Sequence, residues 1–91
     1  MGDRGKRHWP AWWEWDLEFT EHVLERMILR KCSEVQLRDM METAKRLRED
    51  EKPGRWIVET THESRPWEVI VEPDYTDKTL VVITAYRLAR T

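Results

Sequence analysis

Apolar residues recur at helical spacing in two stretches of the chain, alternate in two more and run unbroken in a fifth, so the pattern itself divides the sequence. At 100° per residue, Phe19, Val23, Leu24, Met27 and Ile28 gather on one side, which predicts a first helix from about Leu17 to Thr20 as far as Lys31 or Cys32. A break follows. Ser33 with Gln36 three residues on has the form of a capping box, and Val35, Leu37, Met40, Met41, Ala44 and Leu47 then predict a second helix running to about Arg48. Its other side carries Arg38, Asp39, Glu42, Lys45, Arg46 and Glu49, charges of mixed sign that describe a solvated face.

Arg48 to Gly54 is charged and then broken by Pro53 and Gly54, as in an exposed loop. Beyond it the period becomes two. Arg55 to His62 alternates Trp56, Val58 and Thr60 with Ile57, Glu59 and Thr61, and Trp67 to Glu72 alternates Trp67, Val69 and Val71 with Glu68, Ile70 and Glu72. Thr79 to Arg87 contains Leu80, Val81, Val82 and Ile83 in sequence, which predicts a strand covered on both faces and hence central. Pro66 and Asp74 to Lys78 supply the turns. The expected fold is α+β: two N-terminal helices packed on one face of a mainly antiparallel sheet of three to four strands.

Residues 1–16 break this pattern. A basic start leads into Trp9, Trp12, Trp13 and Trp15 around Pro10, with no helical or alternating period, so 1–16 reads as an arm and 17–91 as a single α+β domain. Rings that large seek cover. They pack on their own domain, on a second copy of the chain or on another protein, and a homo-oligomer formed through the arm is one expectation. No stretch approaches the length of a membrane span, and the start lacks the apolar run of an export signal, so the reading is a soluble cytoplasmic chain. The single cysteine, Cys32, excludes an internal disulfide and suits a reducing compartment.

Net charge is −2, so any phosphate site has to be local rather than a broad basic surface. One local candidate stands out. His22, Arg26 and Arg30 follow one another at four-residue spacing and form a cationic stripe on the first helix. Imidazole titrates near neutral pH and guanidinium forks grip phosphate oxygens, so the trio suits a phosphodiester. The stripe also borders the apolar face, where long basic side chains commonly lie over a core.

The run Thr20-Glu21-His22-Val23-Leu24-Glu25-Arg26-Met27-Ile28-Leu29-Arg30, the Ser33 that opens a second helix, Arg65-Pro66-Trp67-Glu68-Val69-Ile70-Val71 and the closing Val82-Ile83-Thr84-Ala85-Tyr86 resemble a widespread family of small bacterial and phage domains of unknown function. The resemblance covers about Phe19 to Leu88 and leaves the tryptophans of the arm outside. That family looks distantly similar to RelE-like and BrnT-like ribonuclease toxins. The resemblance implies helices set against an antiparallel sheet, metal-independent cleavage of RNA, no cofactor, and either a cognate antitoxin as partner or a place in a larger polymorphic toxin.

Such cleavage needs a base for the 2′-hydroxyl, an acid for the leaving oxygen and cations for the charged phosphorane. The expected catalytic set is His22 as base or acid, Arg26 and Arg30 as phosphate clamps, and Tyr86 on the last strand, with Thr84, Arg65 and His62 as substrate contacts. Thr84 and Tyr86 lie two apart on one strand face and meet the stripe if that face points to the first helix. The plainer alternatives are a core-edge tyrosine and ordinary turn residues. His8, His22, His62 and Cys32 have no zinc-site spacing, and glycines at 2, 5 and 54 make no phosphate loop, so no metal is expected. Lys31 beside Cys32 would lower the thiol pKa if it were exposed, whereas burial would make it structural. From another class comes the alternative of a non-catalytic interaction module.

Overall fold

A computed structural model describes residues 9–88. The basic start and His8 lie outside the described residues. After Pro10 a 3₁₀ turn, Ala11–Glu14, leads into a short strand β1 (Asp16–Phe19), followed by helices α1 (Glu21–Leu29) and α2 (Glu34–Glu42) and strands β2 (Arg46–Glu49), β3 (Trp56–His62), β4 (Arg65–Asp74) and β5 (Thr79–Arg87). The strands form one mixed sheet in the order β1-β5-β4-β3-β2. β2 to β5 run as an antiparallel meander, while β1 pairs in parallel with β5, Asp16 to Phe19 against Thr79 to Val82. Helices α1 and α2 carry the chain from β1 to β2 at the opposite edge of the sheet, and the meander through β3 and β4 brings it back to lie beside β1. The sheet has five strands where three or four were expected, and both additions are four-residue edge strands.

Side chains at the helix ends explain the helix starts. Thr20 Oγ1 accepts the Val23 amide, and Ser33 and Gln36 complete the expected capping box, each side chain taking the other's backbone amide. α1 closes in a Schellman arrangement: the Cys32 amide reaches the Met27 carbonyl at 2.9 Å and the Lys31 amide reaches that of Ile28 at 3.1 Å, with Lys31 at φ 56°. α2 stops at Glu42, well short of the expected Arg48. At the next residue the Thr43 hydroxyl donates back to the Asp39 and Met40 carbonyls, and Arg46 to Glu49 then pair with Glu59 to Trp56 on β3. Helix-forming side chains in that segment yield to a ladder that sets Leu47 beside Val58. The exposed loop accordingly begins after Glu49.

The core lies on one side of the sheet. Val23 and Met27 of α1 and Leu37, Met40 and Met41 of α2 pack with Val58, Trp67, Val69, Val71, Leu80, Val82 and Ala85. Each large aliphatic group buried this way contributes about 1.5–3 kcal/mol. Trp12 belongs to the same cluster, only 5% exposed and 5.2 Å from the Trp56 ring, and Trp9, Trp13 and Trp15 pack against its margin. Among helices of the described residues, none is long and apolar enough to cross a membrane.

β5 departs from expectation in an informative way. It is bonded on both sides but stands second from the edge, with β4 in the middle, and only Leu80, Val82 and Ala85 are buried while Val81 and Ile83 are half-buried. The spacing of the buried positions jumps from two to three because the β4–β5 register slips: Ile70 faces Thr84, yet Val71 faces Val82. Ile83 is the extra residue of a β-bulge.

Candidate functional site on the open face of the sheet

The bulge decides which way the end of β5 presents its chemistry. Counted by twos from Leu80 and Val82, Thr84 and Tyr86 would point into the core; beyond Ile83 the phase inverts, and Ala85 takes the inner position. Thr84 and Tyr86 therefore stand on the face away from the helices. The expectation that they meet the α1 stripe is overturned by this one inserted residue.

The stripe itself divides. Arg30 Nη1 donates to the Ala85 carbonyl at 2.7 Å, on the length of β5 that runs past the end of β1. On the same free edge Thr20 Oγ1 donates to the Ile83 carbonyl at 3.3 Å. Arg30 thus satisfies an edge carbonyl that no strand covers. His22 and Arg26 are exposed and, among the described residues, their side chains take part in no hydrogen bond or ion pair.

On the open face, one register row crosses four strands: Arg46, Glu59, Glu68 and Tyr86. The Tyr86 hydroxyl donates to Glu68 Oε1 at 2.7 Å, and Arg48 Nη2 donates to Glu68 Oε2 at 2.8 Å. Arg48 Nε reaches Glu59 Oε2 at 2.7 Å, with Arg46 Nε 3.9 Å from Glu59 Oε1. The adjacent row holds Arg48, Ile57, Ile70 and Thr84. Ile57 and Ile70 are only 8% and 7% exposed and stand outside the core cluster, in the row next to these long polar side chains. Glu68 is the most enclosed acid of the group, its side chain 12% exposed.

Burial, and then the hydrogen bond to the Glu68 carboxylate and its charge, push the Tyr86 phenol up to about 12. At neutral pH Tyr86 is therefore a proton donor aimed at a carboxylate. Arg48 lies across two carboxylates and keeps about half its side chain in water, open to an anion that can compete for its fork. Base, acid and cation meet here within hydrogen-bonding distance. Of the seven residues expected at a site, only Tyr86 belongs to this network, with Thr84 in the next row. Sequence reasoning missed Arg48, Glu59 and Glu68. Glu59 and Glu68 were legible as the polar members of two alternating strands, but Arg46 and Arg48 were hidden in the overextended helix.

His62 and Arg65 lie elsewhere, at the β3–β4 hairpin. They flank Glu63 and Ser64, whose φ values of 53° and 66° are those of a two-residue type I′ connection. The His62 ring meets Trp67 edge to face at 5.6 Å and borders a groove of about 280 Å³ with Gln36, Asp39 and Met40 of α2 and Thr43 just beyond its end. Arg65 is exposed at the hairpin end. Cys32 is buried, and desolvation followed by the charge of Glu63 raises its pKa, the reverse of the activation that Lys31 would give an exposed thiol. Among the described residues no three His, Cys, Asp or Glu side chains are grouped to hold a metal ion.

A family model described as a domain of unknown function, DUF4258, matches residues 19–87. The match takes in both helices, β2 to β5 and every member of the open-face network. Comparison with curated proteins and with solved structures gives no match.

Proposed function

The chain belongs to the DUF4258 family of domains of unknown function, and we propose that it is a RelE-like, toxin-type endoribonuclease that cuts RNA without a metal on the open face of its sheet. The observation that carries this reading is the convergence of the Tyr86 hydroxyl and the Arg48 guanidinium on one enclosed carboxylate, Glu68. Glu68 removes the 2′ proton, the 2′ oxygen attacks phosphorus, and the bond to the 5′ oxygen breaks. Tyr86 gives its proton to that leaving oxygen and regains one from Glu68, so the products are a 2′,3′-cyclic phosphate and a 5′-hydroxyl. Arg48 and Arg46 offset the charge of the phosphorane. A partner that silences such a toxin would be an antitoxin covering this face.

The geometry moves the proposed centre away from His22 and Arg26, which lie in the helix layer and, among the described residues, take part in no side-chain hydrogen bond or ion pair. Cleavage of a mixed-sequence RNA in the presence of a chelator tests the assignment. Glu68→Gln and Tyr86→Phe should each lower the rate by about 10²–10⁴-fold, with His22→Ala near wild type. Loss in His22→Ala with full activity in Glu68→Gln would return the site to α1. No cleavage by folded wild-type protein would leave the second reading, an interaction module, which the exposed Ile28, Leu29 and Val35 side chains favour.

A further inference from the structure

α1 buries Val23 and Met27 and leaves Leu24 and Ile28, one position further round, facing outward, Ile28 with 76% of its surface in water. Leu29 and Val35, 75% and 68% exposed, are the other large apolar side chains uncovered around the α1–α2 turn. Single exposed aliphatics are ordinary, but Leu24 and Ile28 lie one turn apart on the same side of α1 and form an apolar pair open to a partner. The tryptophans do not cover it, because Trp12 is spent in the core and Trp9, Trp13 and Trp15 pack at its margin.

Charge along this helix identifies the occupant. Outward positions of α1 read Glu21, Leu24 and Ile28, and Lys31 is exposed at the left-handed position that ends the helix: acid, apolar, apolar, base. The sequence of properties is self-complementary only when reversed. A two-fold axis crossing α1 at the level of Arg26 sets Leu24 against the partner's Ile28 and Glu21 against the partner's Lys31, and each contact occurs twice. A parallel pairing would set acid on acid and base on base. Antiparallel pairing also opposes the two helix dipoles, bringing the acidic first turn of one helix to the basic end of the other.

We propose that the chain forms an isologous homodimer through antiparallel packing of α1 on its copy, centred on Leu24 and Ile28 and held in register by Glu21 and Lys31. The inference is independent of the nuclease reading, since the dimer face lies on the helix layer and leaves the open sheet face uncovered. One nine-residue helix buries less than a standard interface, so association belongs in the range of about 10–100 μM.

Sedimentation velocity over a concentration series tests it on the full chain, with circular dichroism to verify that each variant is folded. Wild type should shift from monomer to dimer across that range, and Ile28→Glu or Ile28→Arg should weaken association by more than about 50-fold. Glu21→Lys and Lys31→Glu should each weaken it by roughly 5-fold, and the double reversal should return it to within about 2-fold of wild type. Monomer at every concentration, a dimer insensitive to both Ile28 variants, or a double reversal no better than the singles would each overturn the proposal.

Discussion

Arg30 of α1 holds the Ala85 carbonyl of β5 at 2.7 Å, closing the one stretch of that strand that β1 is too short to cover. The contact gives a basic residue of the helix stripe a structural task. A charge-assisted hydrogen bond to a part-buried carbonyl contributes about 1–2 kcal/mol, so Arg30→Ala should lower the free energy of unfolding by that amount. His22→Ala and Arg26→Ala, at exposed positions on the same stripe, should stay within about 0.5 kcal/mol of wild type in urea titrations. Equal losses in all three would refute a special role for Arg30.

Trp12 gives the segment before β1 a fixed place in the domain. Its ring is almost wholly enclosed and tilts on Trp56 at 5.2 Å, so Trp12→Ala removes a large core group and should cost about 3–5 kcal/mol. Against a total of about 5–15 kcal/mol for a domain of this size, the variant should melt many degrees lower in calorimetry.

Lys31 occupies the left-handed position that glycine usually fills at a helix end. Lys31→Gly relieves a conformation that is unfavourable for a residue with a Cβ, and the gain in folding free energy should be about 0.5–1 kcal/mol. The comparison belongs at protein concentrations of a few micromolar, below any association through α1. A variant less stable than wild type would mean that the lysine side chain contributes more than its backbone loses.

Tyr86 links the open-face network to pH. Its folded value of about 12 exceeds the ordinary 10.0, so the protonated form is favoured by folding; the resulting stability is intact below pH 10 and disappears as pH rises through 12. After allowance for its partial exposure to solvent, the loss should be about 1–2 kcal/mol. Phenolate absorbance should show one tyrosine titrating near pH 12, and Tyr86→Phe should remove that step.

Local chemistry made much of this fold legible. Ser33 with Gln36 announced the start of α2 through the amides they cap, alternation placed β3 and β4 because each presents one face to the core, and an unbroken apolar run placed β5. β1 escaped notice since Asp-Leu-Glu-Phe is too short to establish a period, and its pairing partner lies at the far end of the chain. β2 was absorbed into α2 because Ala44 and Leu47 continue the helical spacing, while the signal against it, pairing of Leu47 with Val58, exists only in three dimensions. The facing of Thr84 and Tyr86 was misread for a similar reason. Nothing in the run Val-Val-Ile-Thr-Ala-Tyr marks Ile83 as the bulged residue, and the orientation of Tyr86 follows from it. Residue types suited to phosphodiester chemistry were recognisable; which of them share a face was not.

The parallel pairing of β1 with β5 also sets an order of events during synthesis. Residues 16–19 leave the ribosome long before residues 79–82, so β1 has no edge to join until almost the whole domain has been made. Until then Trp12 lacks the layer it packs against, and the neighbouring rings stay in water beside a growing chain. Contacts between distant segments slow the final step of folding, because the loop between them must close before they contribute. The tryptophan segment thus acts as the last latch of the domain, and the interval before it closes is when the nascent chain most needs protection from aggregation.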